Sequence, residues 1–229
     1  MTSSPSSRFG RSGFTLIELL AVMAIVAMMM GLSIVGFQSV SRGASMRGSL
    51  AAVRSTLGLA RQHAITNLKD TYVVFLDQNT GYGNIERLKP MANRGYAVFE
   101  VDPDIPTLGG TFITEWRELP TGVIFDRTNP NSANVFNASR TLANVPVLRD
   151  GGNFGSVNAS EYEFRTMHAI GFRPTGKAVH NGYHLYLVEG TVDVVPGQPV
   201  PEVLTTGEIA VNLYVNALTG IVRIFNAAY

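Results

Sequence analysis

The chain passes through three regimes of hydrophobic patterning. Residues 1–13 are polar, with Arg8 and Arg11 and no acid. Phe14 to Phe37 is a run of 24 residues, nearly all apolar, whose one charge is Glu18. About 20 apolar residues span the ~30 Å hydrocarbon core of a bilayer, so residues 14–37 are expected to form a transmembrane helix. The run is longer than the apolar core of a secretory signal peptide, and no clean small-x-small cleavage site follows it. Beyond it, Met46, Leu50, Val53, Leu57, Ala60, Ala64 and Leu68 recur at spacings of 3 and 4. That is the stripe of an amphipathic helix, and it defines a stem over 38–68. From Thr71 the period changes to alternation, with strands expected at 71–76, 95–101, 111–119, 122–125, 161–165, 183–189, 209–215 and 221–225. The predicted fold class is α+β: a long N-terminal helix, transmembrane in its first half and amphipathic in its second, packed on an antiparallel β-sheet domain over 69–229.

Two stretches of that domain break the alternation. Residues 126–160 are rich in Asn, Ser, Ala and Gly, and residues 190–207 in Pro, Gly, Thr and Val. Both read as surface loop insertions. Composition adds two exclusions. With no cysteine among 229 residues, disulfide scaffolds, Cys-ligated metal and thiol catalysis are ruled out. A formal charge of +1 argues against a protein built mainly to wrap nucleic acid. The charged fraction of 15% is low for a soluble domain, where about 25% is usual, and the apolar run accounts for the difference.

Candidate chemistry is sparse. His180 and His184 are four apart, a metal-binding spacing on a helix, but Asn181-Gly182 between them marks a turn. Asp102 and Asp104 are too few for calcium, which takes 6–8 oxygens. Asp150-Gly151-Gly152 reads as a tight turn. No serine-hydrolase elbow and no H-E-x-x-H occurs. The expectation is a protein without enzymatic activity, metal or cofactor. Arg47, Arg54 and Arg61, seven apart beside the stem stripe, and Arg223 near the C-terminus are candidate contacts for nucleic acid or a partner; for the stem row the favoured alternative is a solvated helix flank, or charges that meet lipid headgroups or a neighbouring subunit's acids.

Gly13-Phe14-Thr15-Leu16-Ile17-Glu18-Leu19-Leu20 resembles the processing motif of type IV prepilins, shared by type IV pilins and by the pseudopilins of type II secretion. The resemblance implies a leader at 1–13, cleavage after Gly13 by a prepilin peptidase, and N-methylation of Phe14. It implies that Glu18 serves assembly, pairing with the N-terminal amine of a neighbouring subunit, because an unpaired carboxylate in lipid is costly. Further signals in the body resemble H-type pseudopilins and FimT-type minor pilins: Leu59-Ala60-Arg61-Gln62-His63-Ala64; Trp116, Leu119, Pro120, Gly122 and Val123; Phe172, Pro174 and Gly176; and Thr219, Gly220, Val222 and Arg223. The implied protein is a minor pseudopilin anchored in the bacterial inner membrane, N-terminus cytoplasmic before cleavage and body periplasmic. Its implied partners are other pilins or pseudopilins and secreted cargo. The alternative is a FimT-like minor pilin in pilus assembly or DNA uptake. Cleavage would leave 229 − 13 = 216 residues, with 18 − 2 = 16 basic against 17 acidic.

Overall fold

The structure is a computed structural model describing residues 15–102, 104–105, 108–152, 158–196, 198, 201–206 and 210–227, with backbone alone for 31–42 and 226–227. The leader 1–13 and Phe14 lie outside the described residues. The chain divides into two compact units, 1–43 and 44–229. Helix α1 (Leu16–Asn67) contributes to both.

In the first unit, α1 begins beside Thr15 and runs through Leu16–Met30 with no apolar face covered. Eleven large apolar side chains there are 42–79% exposed. Among the described residues no helix is long and apolar enough to cross a membrane; the described side chains of the run stop at Met30, the 17th of its 24 residues. The transmembrane expectation for 14–37 therefore extends beyond the described residues.

The second unit is α+β, with every strand pair antiparallel. Its strands are β1 (Thr71–Phe75), β2 (Gly95–Val101), β3 (Gly110–Phe112), β4 (Arg117–Glu118), β5 (Val123–Asp126), β6 (Thr141–Leu148), β7 (Tyr162–Phe172), β8 (Tyr183–Asp193), β9 (Glu202–Thr205), β10 (Ala210–Val215) and β11 (Val222–Ala227). The first sheet runs β3-β2-β1-β7-β6, with β4 also on β2; the second runs β11-β10-β8-β5, with β9 also on β8.

Alternation on the first sheet sends side chains to two cores. Val73 and Phe75 of β1, Tyr96 and Val98 of β2, and Ile170 and Phe172 of β7 face the helix stripe and the second sheet. Val74, Ala97, Phe99, Met167 and Ala169 face a second core, closed by Tyr82, Ile85, Leu88 and Ala92 from the β1–β2 connection. The stripe behaves as its spacing predicts over Leu50–Ala64, where Leu50, Val53, Leu57, Ala60 and Ala64 are all buried, while Met46 packs at the edge. Leu68 departs from it. The helix ends at Asn67, and Leu68 takes a left-handed φ of 57° with 73% of its surface exposed; it is the residue that turns the chain out of the helix, where glycine is usual.

Three boundary expectations need correction. Residues 126–160 are not simply a loop: they hold β6, whose Val145 and Val147 are in the second core, and Val135 and Phe136 enter the first. The strand was hidden because Asn144 sits at a left-handed φ of 59°, where the register with β7 slips between Leu142 and Val145, and because Pro146 interrupts the pattern. Residues 190–207 likewise hold the end of β8 and its partner β9. The strand expected at 111–119 splits into β3 and β4, because the Thr114 hydroxyl accepts the Val98 N–H at 3.0 Å, which interrupts the β2 ladder there.

Candidate functional site

At the start of α1, Thr15 precedes the first helical residue and Glu18 sits three residues on. The Thr15 N–H and hydroxyl both donate to Glu18 Oε2 at 2.9 Å, and the Glu18 N–H donates to the Thr15 hydroxyl at 3.3 Å. This is a reciprocal capping box, not among the expectations above, although T-x-x-E ahead of an apolar run is its sequence signal. Glu18 thus has a partner within its own chain. Both bonds converge on Oε2, and among the described residues Oε1 has no donor. A negative side chain in the first turn also complements the helix dipole. Gly13 and Phe14, expected as the cleavage and methylation positions, lie outside the described residues.

The four arginines do not gather on one surface. Arg61 reaches back from the helix, its Nε donating to the carbonyls of Gly176 at 3.1 Å and Thr219 at 2.9 Å. Three short signals noted separately in the sequence therefore meet at one guanidinium: the stem hexapeptide, the Pro174–Gly176 turn and the Thr219-Gly220 hairpin. Both glycines have positive φ, 76° and 63°. A Cβ on Gly220 would stand 2.2 Å from the Gly176 carbonyl oxygen, so only glycine allows this approach. Arg61 is a clamp, and its row-mates differ. Arg47 and Arg54 are exposed, hold no hydrogen bond or ion pair among the described residues, and line an open groove of about 500 Å³ with Leu50 and Ile224 of β11. Arg223 lies opposite Tyr214, on the face of the second sheet away from Ile224.

A charged cluster at the C-terminal end of α1 was not anticipated. His63 Nε2 lies 2.6 Å from Glu100 Oε2, Lys69 Nζ lies 3.4 Å from Glu100 Oε1, and Lys69 also pairs with Asp102. The bond from Lys69, helped by the Asp104 N–H, holds the Asp102 carboxyl below its usual range, and Asp102 in turn raises Lys69. Asp102 and Asp104 are thus turn and ion-pair residues.

The remaining histidines are held apart. His180 meets the edge of Tyr183, whereas His184 lies against Tyr214 and bonds Asn212 at 2.8 Å; burial pushes both pKa values down. His168 lies 3.5 Å from Asp77 beneath Phe136, and burial lowers it despite that carboxylate. Among the described residues no three His, Asp or Glu side chains are grouped to hold a metal ion.

Comparison with known proteins adds one positive finding. No curated protein and no solved structure matches the chain. A family model, the prokaryotic N-terminal methylation motif, matches residues 8–34. Its span takes in the end of the polar leader from Arg8, Gly13, Phe14, the capping box and the exposed apolar helix through Met30. The chain therefore carries an N-terminal methylation motif over residues 8–34 that supports a type IV prepilin-like protein, and the motif implies processing by a prepilin peptidase and assembly with other pilins.

Proposed function

We propose that the protein is a minor pseudopilin of the H type, a non-enzymatic structural subunit of a periplasmic pseudopilus in type II secretion. A prepilin peptidase cuts after Gly13 and methylates Phe14. Residues 14–37 anchor the chain in the inner membrane before assembly, N-terminus cytoplasmic and body periplasmic. The observation that carries this reading is the bare apolar helix that follows the capping box. Eleven large apolar side chains at 42–79% exposure forgo on the order of 10 kcal/mol of burial in water. Lipid before assembly, and neighbouring helices after it, supply that burial. In a bundle of such helices the open Glu18 Oε1 accepts from the N-terminal amine of an adjacent subunit while Oε2 remains capped.

The experiment is Glu18→Ala in cells that carry the prepilin peptidase. Cleavage after Gly13 is expected to proceed, and incorporation of the variant into filaments is expected to fall by about tenfold or more. Normal incorporation overturns the assembly role of Glu18.

A second reading, a FimT-like minor pilin engaged in pilus assembly or DNA uptake, is favoured by Arg47 and Arg54, which are exposed and have no partner among the described residues. It is weakened by Arg61, which is committed to two carbonyls. Titration of duplex DNA separates the two readings, because phosphate binding must weaken steeply with salt. Salt-dependent binding lost in Arg47→Ala/Arg54→Ala favours the minor pilin, and its absence favours the pseudopilin.

A further inference from the structure

The two edge strands of the first sheet, β3 and β6, line one groove of about 730 Å³ floored by the 3₁₀ turn Glu86–Met91. Its walls are mainly apolar: Met91, Phe112 and Trp116 on one side, Pro146 and Leu148 on the other. Phe112 and Trp116 rings sit 5.5 Å apart.

Ladder parity shows what the β3 wall presents. The Ile113 N–H bonds Val98 O at 2.8 Å, and β3 pairs Thr111 with Glu100 and Phe112 with Phe99. Thr111, and Ile113 through its N–H, are therefore turned toward β2, and Gly110 and Phe112 point their backbone groups outward. Among the described residues nothing takes up those groups. The β6 wall is blunted by comparison. Pro146 has no N–H to offer, and Arg87 Nη2 occupies the Leu148 carbonyl at 2.9 Å. Arg87 is also paired with Asp150 at 3.3 Å, so the one cation lining the groove among the described residues is engaged, while Glu115 at the rim is exposed. Among the described residues a phosphate or nucleic acid finds no free cation here. Outward donors and acceptors two residues apart, beside an apolar floor, match the repeat of an extended chain.

We propose that this groove receives an extended peptide segment of a partner protein, which adds a strand to the free edge of β3 and lays alternate apolar side chains against Phe112, Trp116 and Leu148. A basic residue of that segment is accommodated at Glu115. The segment is recognised by its backbone first and by apolar alternation second, which suits a surface that engages more than one sequence.

Trp116 is the only tryptophan of the chain, so its emission reads occupancy directly. The full-length protein in lipid nanodiscs is titrated with a short peptide alternating Val and Thr and carrying a terminal Lys. A saturable change in Trp116 emission is expected. The same peptide N-methylated on alternate backbone nitrogens is expected to bind at least about tenfold more weakly, the equivalent of roughly one lost hydrogen bond. Leu148→Arg, checked for an unchanged circular dichroism spectrum, is expected to weaken the unmodified peptide by a similar factor. No emission change overturns the proposal. Equal affinity for both peptides, or an equal response to duplex DNA, overturns it as well. Glu18→Ala protein and unprocessed protein are expected to bind the peptide normally, so failure here and failure of the pseudopilin assignment are distinguishable.

Discussion

At the scale of single residues, Arg61 and two glycines explain more of the body than any candidate for chemistry. Arg61→Ala leaves the Gly176 and Thr219 carbonyls without their donor and is expected to cost about 1–2 kcal/mol, lowering Tm by several degrees. Gly220→Ala forces a Cβ onto a backbone oxygen as well as onto a positive φ, for on the order of 3 kcal/mol. Gly151→Ala is the control, since it has φ of 79° but nothing within 4 Å of the new Cβ, and is expected to cost about 1 kcal/mol. Differential scanning calorimetry ranks the three, and a Gly151 effect as large as that of Gly220 contradicts the close approach. The ion pair at Asp102 carries a pH dependence. Because its carboxyl is held below the usual 3.8, its contribution is present above that value and is lost as pH falls through the lower folded pKa. Lys69, raised above 10.5, contributes below that value and loses its contribution as pH rises past the higher folded pKa. Asp102→Asn is expected to flatten the acid limb of a urea-midpoint profile below about pH 4; an unchanged limb contradicts the pairing. The turns were legible in the sequence, but the contacts that join them to Arg61 and the ion pair at Asp102 were not. The spacing of Arg47, Arg54 and Arg61 suggested a row with one role, but only the carbonyls brought up by two distant turns could show that Arg61 differs.

Among the elements, the helix stripe and the alternating strands were readable because each rests on a local period that burial later enforces. Leu57, fully buried in the first core, is expected to cost about 2–5 kcal/mol on truncation to Ala. Leu68 is the exception at the end of that stripe. Leu68→Gly relieves a left-handed branched residue at the helix terminus and is expected to stabilise by about 1 kcal/mol, read as a higher Tm; a lower Tm contradicts the terminus described. The hidden elements share one cause, namely a local signal outvoted by packing. In β6, Asn144 and Pro146 look like loop residues, yet one sits at a register slip and the other on a free sheet edge, where their backbone peculiarities are harmless. The capping box at Thr15–Glu18 was the opposite case. Its pattern, T-x-x-E ahead of an apolar run, is fully local, and its bonds stay within the first turn of the helix.

For the whole molecule, the two units have different physical requirements. Among the described residues the three apolar cores lie within 44–229, while residues 16–30 expose their apolar side chains in every direction. The expectation at this scale is that the chain needs lipid or neighbouring helices for its first unit alone. The same division explains the low charged fraction of the sequence, which averages an apolar helix with an ordinary polar domain. The claim on which the pseudopilin reading depends is that the chain is a precursor processed at Gly13. Intact-mass and N-terminal peptide mass spectrometry of the protein, purified from cells with an active prepilin peptidase, tests that claim directly. The predicted result is a 216-residue chain, 229 − 13, that begins at N-methylated Phe14. A chain that still carries residues 1–13, or one that begins at an unmethylated residue elsewhere, contradicts it.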